Sequence, residues 1–341
     1  MQQSIDKTYA PPITAVIGAG AAGMMAALRG VLNNDKVLLF GGKAKDKKKS
    51  RAQWVTKVEN MPGFFHYKKG INDPNKETLD FIKQSPFADN LEFKKNLSIE
   101  KIEQRKDGRF DLLDDQGNEY LCDHIVMATG VMDVQPEIEG SIKTIFPYSN
   151  VQAVDYCIRC DGHHTFEKEV AIIGHGDSAA WVAVLLYERY RPFNITLLTD
   201  GKETQFSEEL KELLDLYHID IETRGIDGIK GDTKKGILEG FYFCDGSLIP
   251  ADFAFVSLGM LVYNKLATDL GANVDERGFV LTNDKGESSV KNFYIAGDLR
   301  ANTKKQIYTA WDTAVDSMDD INRKTRLHFR EYKKKQREKF N

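Results

Sequence analysis

One pattern constrains the fold of this chain more than any other, and it occurs twice. In ITAVIGAGAAGMMAALRGV, the apolar run Ile13–Ile17 leads into Gly18, Gly20 and Gly23 at GxGxxG spacing, with Ala22 among them, and then into an Ala-, Met- and Leu-rich helical stretch. KEVAIIGHGDSAAWVAVLL repeats the arrangement, with the strand Val170–Ile173, then Gly174, Gly176 and Ala179, then an apolar helix that includes Asp177 and Ser178 near its start. Such glycines permit a tight turn, a close approach of backbone to a pyrophosphate and close packing of helix on strand, while the helix N-terminus offers unpaired N–H groups and a partial positive charge. One such motif alone also fits a helix-packing device. A strand before it and a helix after it favour dinucleotide binding at each place.

The segments around these units predict the domain order. A second strand over Val37–Phe40 ends at Gly41 and Gly42 with no acidic residue to take a ribose, and the basic run KAKDKKKSR follows, either as a solvated loop or as a surface attracting phosphate groups. The strand after the second unit, Ile195–Thr199, ends in Asp200, placed to accept hydrogen bonds from a ribose 2′-OH and to repel a 2′-phosphate; this favours NADH over NADPH, and Lys202 weakens the preference. Ile125–Met127 runs as a strand into Gly130, and NFYIAGDLR carries the same strand-then-glycine pattern to Gly297 and Asp298, before a long helix beginning near Gln306 and Ile307. The expected fold class is α/β, with two Rossmann-like three-layer dinucleotide-binding domains, the second inserted in the first. Residues 1–130 and 260–325 form the first domain, 131–259 the second, and 326–341 a basic C-terminal tail. Crossings near 130 and 260 are the expected hinges.

Composition excludes several classes. Lys plus Arg number 47 against 51 Asp plus Glu, a formal charge of -4, which does not describe a general polyanion binder. MQQSIDKTYAPP lacks the apolar stretch of a secretion signal and no run of about 18 apolar residues occurs, so a cytoplasmic protein without a transmembrane segment is expected. The basic tail either extends the last helix as a solvated surface or meets an acidic partner, an anionic membrane or RNA. Four cysteines are too few for a disulfide scaffold. Cys122 and Cys244 sit in apolar strand-like segments and read as buried small hydrophobes.

Cys157 and Cys160, in YCIRCDGHH, are the unusual pair. A redox dithiol, half of a zinc site and inert thiols are the three readings. Zinc would need His163 and His164, and adjacent side chains diverge in both strand and helix, so no metal site is expected. The nucleotide-binding context favours the redox reading.

Taken together, GAGAAG (18–23), VENMPG (58–63), ATG (128–130), CIRCDG (157–162), GHGDSA (174–179), AGD (296–298) and KQIYTA (305–310) run nearly end to end. In order and spacing the chain resembles the low-molecular-weight thioredoxin reductases among the FAD-dependent pyridine nucleotide-disulfide oxidoreductases. The resemblance implies that Gly18, Gly20, Ala22 and Gly23 hold the FAD pyrophosphate, that Asn60 and Gly130 lie near the flavin, that Gly297 and Asp298 border its phosphates and ribitol, and that Gln306 and Ile307 begin a helix whose positive end approaches it. Gly174, Gly176, Asp177, Ser178 and Ala179 would border NADH or NADPH. Cys160 would face the flavin, Cys157 would attack the external disulfide of thioredoxin or a thioredoxin-like protein, and Asp161 would handle the thiol protons. A homodimer and a swivelling inserted domain are also implied.

The departures bear on donor and acceptor. LLTDGKETQ replaces the family's histidine and paired arginines for a 2′-phosphate, and Ala180 and Trp181 stand where a glutamate is usual. VMDV follows ATG in place of a basic residue, and His163 and His164 replace two phenylalanines of the thioredoxin-docking surface. A different donor or acceptor, or a redox-responsive scaffold, is the alternative. Arg159 either depresses a thiol pKa or points into solvent.

Overall fold

The protein, described here by a computed structural model covering residues 9–340, contains two compact units. The first comprises the chain up to Gln53, Tyr67–Met132 and the chain from Val262 onward; the second comprises Trp54–His66 and Asp133–Leu261. Residues 1–8, which carry most of the N-terminal segment read above, and Asn341 at the end of the basic tail lie outside the described residues.

In the first unit, five strands run parallel in the order Phe293–Ile295, His124–Met127, Ile13–Ile17, Lys36–Phe40 and Leu91–Lys94. The central strands are apolar on both faces because both are covered. Ala15, Ile17, Leu38 and Phe40 face an antiparallel sheet of Ile99–Gln104, Phe110–Asp114 and Glu119–Cys122, packing with Ile102, Phe110 and Leu112. Val16, Val37 and Leu39 point the other way, onto Ala26, Ala27 and Val31 of the Ala21–Leu32 helix and Ala314, Met318 and Ile321 of the Ile307–Phe340 helix. The alternation follows from the period-2 direction of strand side chains. Small residues let the layers close: a Cβ on Gly30 would stand 2.6 Å from Val37 Cγ2 and 2.7 Å from Met318 Cε.

The inserted unit repeats this plan. Its parallel sheet is ordered Asp220–Glu222, Asn194–Leu198, Glu169–Ile173, Phe253–Val256 and Val154–Asp155. Val170, Ile172, Ile195 and Leu197 pack on Ala179, Ala180, Ala183 and Val184 of the Asp177–Tyr190 helix. On the opposite face Ala171, Ile173 and Leu198 meet Ile226, Leu238 and Phe241 of a three-stranded antiparallel sheet. Both units are therefore three-layer Rossmann-like folds.

One expectation changes. Cys244 is exposed, not buried: it follows the last residue of the Ile237–Phe243 strand and belongs to the tight turn before Leu248–Pro250, whereas Cys122 is fully buried. The basic C-terminal segment, through Phe340, is a continuation of the Ile307–Phe340 helix, on which Phe329 and Tyr332 pack against Tyr9. Among the described residues, no helix is long and apolar enough to cross a membrane.

His124, at the start of its strand, is 6% exposed and its Nδ1 lacks a hydrogen-bond partner. Burial lowers its pKa from 6.5 to about 4. The unfolded chain therefore binds the proton more readily, and stability falls as pH drops from 6.5 toward 4. Between pH 7.5 and 5 this group should remove about 2 kcal/mol, so urea unfolding of His124→Gln should show a shallower pH dependence than the wild type by that amount.

Candidate functional site

Cys157 and Cys160 form a disulfide, with Cα atoms 5.3 Å apart. A single helical turn, Ile158–Asp161, makes the closure possible: Cys157 is its N-cap, and its carbonyl accepts hydrogen bonds from the N–H of Cys160 and of Asp161, both at 3.0 Å. Both cysteines are half-buried, Arg159 between them is exposed, and Asp161 is buried. Burial, reinforced by the negative charge of Asp155, pushes the Asp161 carboxyl up to about 7. Gln152 Nε2 donates to Asp161 Oδ1 at 3.5 Å.

The chain then continues as a 3₁₀ turn, Gly162–Thr165. Here the expectation that adjacent histidines diverge does not hold. In this turn the rings of His163 and His164 lie 4.3 Å apart, and their Nε2 atoms reach the same oxygen, Glu59 Oε2, at 2.9 and 2.7 Å. Lys57 Nζ lies 2.5 Å from the other Glu59 oxygen, and with the histidines it draws the Glu59 pKa down to about 2. His164 Nδ1 faces Asp155 Oδ2 at 3.7 Å, within ion-pair range but beyond a hydrogen bond. The facing Asp155 carboxylate, then Glu59, raises the His164 pKa, and burial raises that of Asp155. Sequence reading singled out Asn60 of VENMPG and passed over Glu59 and Asp155. Asn60 belongs to the Trp54–His66 segment, which clusters with the inserted unit.

The glycine turns are the second component. In the first unit a Cβ on Gly18, whose φ is +105°, would lie 2.5 Å from Ala128 O, and one on Gly23 would lie 1.7 Å from Gly18 O. These two are glycine because the ATG segment, which ends at Gly130, and the helix crowd the turn. Gly297 likewise abuts Ala22, 2.8 Å from an added Cβ, and its N–H donates to Thr313 Oγ1 at 3.0 Å. GAGAAG, ATG and AGD thus meet at one end of the sheet. Beside them Asp298 pairs with Arg51 at 3.3 Å, so the end of the basic run KAKDKKKSR takes part in this cradle. Gln306 is buried, and the final helix starts at the next residue, Ile307.

Gly20 differs from its neighbours. Its φ of −77° suits any residue, and no chain atom lies within 4 Å of an added Cβ, yet it is the N-cap of the Ala21–Leu32 helix with no side-chain cap. Gly176 repeats every feature at the Asp177–Tyr190 helix, with a φ of −107°. Open space before uncapped helix N–H groups fits the pyrophosphate of a dinucleotide in each unit. In the second cradle Gly174 packs on Ala179, Ser178 Oγ is 3.1 Å from Ser257 Oγ, and Asp177 Oδ1 accepts from Ser207 N at 2.8 Å. Asp200 lies just beyond Asn194–Leu198, and its Oδ1 accepts from Ile226 N at 2.9 Å.

Two dinucleotide folds and a closed CxxC disulfide define a class, and the comparison with known proteins agrees. Residues 13–317 match the pyridine nucleotide-disulphide oxidoreductase family, and the chain belongs to it. Among curated proteins it is 25% identical to the thioredoxin reductase of Treponema pallidum over 301 residues, covering 86% of this chain and 91% of the relative. It is 27% identical to that of Mycoplasma genitalium over 314 residues, covering 90% and 94%. Among solved structures, the thioredoxin reductase of Streptococcus pyogenes superposes with a TM-score of 0.78 over 92% of this chain and 98% of that one; at 21% identity, this likeness concerns the fold. The protein is a disulfide oxidoreductase of the thioredoxin reductase type.

Proposed function

We propose that the protein reduces the disulfide of a thioredoxin or thioredoxin-like protein with electrons from a reduced nicotinamide. The observation that carries this reading is the Cys157–Cys160 disulfide, closed across one helical turn in a chain with two dinucleotide cradles. Gly18, Gly20, Ala22, Gly23, Gly130, Gly297 and Asp298, with Gln306 and Ile307 at the head of the last helix, would hold FAD, and Asn60 would lie near its ring. FAD, when bound, carries the electron pair from the nicotinamide to the disulfide.

The chain's own part is thiol chemistry. Two electrons and two protons convert the disulfide to two thiols. The Cys157 thiolate attacks the partner's disulfide, expelling one partner thiol and forming a mixed disulfide; Cys160 then attacks the Cys157 sulfur and expels the second partner thiol, restoring the Cys157–Cys160 bond and releasing the partner as a dithiol. Asp161, next to Cys160 in a buried setting that favours its protonated form, supplies and recovers the protons. Asp161→Asn should slow disulfide turnover by roughly 10²–10⁴-fold, measured with a protein disulfide acceptor, while reduction of bound flavin continues at the wild-type rate.

Gly174, Gly176, Asp177, Ser178 and Ala179 would border the nicotinamide dinucleotide. The acidic Asp200 beside this cradle favours NADH over NADPH: Oδ1 is engaged by Ile226 N, and Oδ2 would meet the ribose. The acceptor-side residues are His163 and His164, so the docking surface is polar. A homodimer working in the cytoplasm completes the reading. Parallel anaerobic titrations with NADH and NADPH, recording flavin absorbance, test the donor: bleaching at lower NADH concentration is expected, and bleaching at much lower NADPH concentration would overturn the Asp200 assignment.

A further inference from the structure

We propose that Glu59, His163 and His164 form a divalent transition-metal site, suited to Zn(II), beside the redox turn. Three observations converge on it. One ligand atom from each residue lies within 4.8 Å of the others, with both imidazole Nε2 atoms already on Glu59 Oε2. Two imidazoles and a carboxylate are a ligand set that Zn(II) accepts, with a water completing the tetrahedron. Bonds of about 2.0–2.1 Å place tetrahedral ligand atoms roughly 3.3 Å apart, so each imidazole nitrogen, now 2.9 or 2.7 Å from the Glu59 oxygen, needs to move away from it by only a fraction of an ångström.

The third observation is Asp155. It is 8% exposed, and its Oδ2, which has no hydrogen-bond partner, faces His164 Nδ1 at 3.7 Å. A metal-bound imidazole ordinarily hands its other N–H to a carboxylate, which fixes the tautomer and strengthens the ligand. Asp155 stands where that carboxylate belongs, and a small approach of His164 would satisfy its buried oxygen. Asp161, the remaining acid of the cluster, completes a second grouping with Asp155 and His164.

Occupancy would tie the Trp54–His66 segment to the turn that follows Cys160. It involves no redox step and does not depend on the proposed acceptor or donor. The cysteines are excluded as ligands while their disulfide is closed, and the exposed Cys244 is removed as a competing thiol by working in a Cys244→Ser background.

The test is chelator competition with Zn(II) alone, and with Co(II) as a spectroscopic probe, on the oxidised full-length protein. One Zn(II) per chain is expected, with Co(II) showing a tetrahedral spectrum. Glu59→Gln, His164→Gln and His163→Gln should each weaken binding at least tenfold, and Asp155→Asn by about 10–100-fold. His163 has 51% of its side chain exposed, so its substitution leaves the fold intact; circular dichroism and cooperative unfolding check the others. His218→Gln, distant in the chain, should leave binding unchanged. Absence of stoichiometric binding, affinity that survives His163→Gln, or affinity that depends on His218 would overturn the proposal and leave a hydrogen-bonded clasp of two imidazoles on one carboxylate.

Discussion

Cys160→Ser is expected to reduce turnover of a protein disulfide acceptor by on the order of a thousandfold or more, while reduced nicotinamide still bleaches the bound flavin at the wild-type rate. The separation follows from where the substitution acts. Cys157 and Cys160 form the only disulfide among the described residues, held in a turn within the inserted unit, and neither takes part in a nucleotide cradle. A lone Cys157 thiol can attack an external disulfide once, but the resulting mixed disulfide has no resolving thiol. Cys160→Ser should therefore trap the acceptor covalently, visible as a mass increase on the intact protein under non-reducing conditions. Cys157→Ser should give the same loss of turnover with a smaller trapped fraction. A Cys160→Ser protein that keeps more than a few per cent of turnover would remove the dithiol from the mechanism.

The second large effect is at the cradles. Gly20→Val and Gly176→Val should fold normally and lose their dinucleotides selectively. Both positions have ordinary negative φ, and neither added Cβ meets any atom of the chain within 4 Å, so folding gives no reason for glycine at either place. The side chain would project into the space before the uncapped helix. A clash of about 2 kcal/mol there corresponds to roughly thirtyfold in affinity. Gly20→Val should be purified depleted of flavin yet unfold cooperatively; Gly176→Val should keep flavin and need far more nicotinamide to reduce it. Gly23→Val should behave differently: its Cβ would sit 1.7 Å from Gly18 O, so the turn itself cannot form and the fold is lost. Equal flavin content in Gly20→Val and wild type would show that this helix end binds no pyrophosphate.

The two parallel sheets were legible because strands buried on both faces read as continuous apolar runs, and the glycine turns fixed their connection to helices. The antiparallel sheets were not. In Ile99–Gln104 the buried residues are Ile99 and Ile102, three apart, because a register shift between Ile99 and Lys101 resets the alternation that marks a strand. Cys157 and Cys160 could be named from local spacing, and Asp161 from the family resemblance. Glu59 was not named: it lies within VENMPG, but its histidine partners are more than a hundred residues away, and only the fold brings them to it. The divergence expected of His163 and His164 assumed regular strand or helix, and the 3₁₀ turn is neither. Arg51 was likewise hidden in a basic run whose bland reading is a solvated loop, and only the fold brings it to Asp298.

The central claim is that the Cys157–Cys160 bond receives the electron pair that a nicotinamide delivers to the flavin. Anaerobic addition of excess reduced nicotinamide to the flavin-loaded protein, followed by denaturing alkylation and peptide mass analysis, tests it directly. Two newly alkylated thiols, at Cys157 and Cys160, with Cys122 and Cys244 unchanged, are the predicted result. A fully bleached flavin beside an intact 157–160 disulfide would contradict the account.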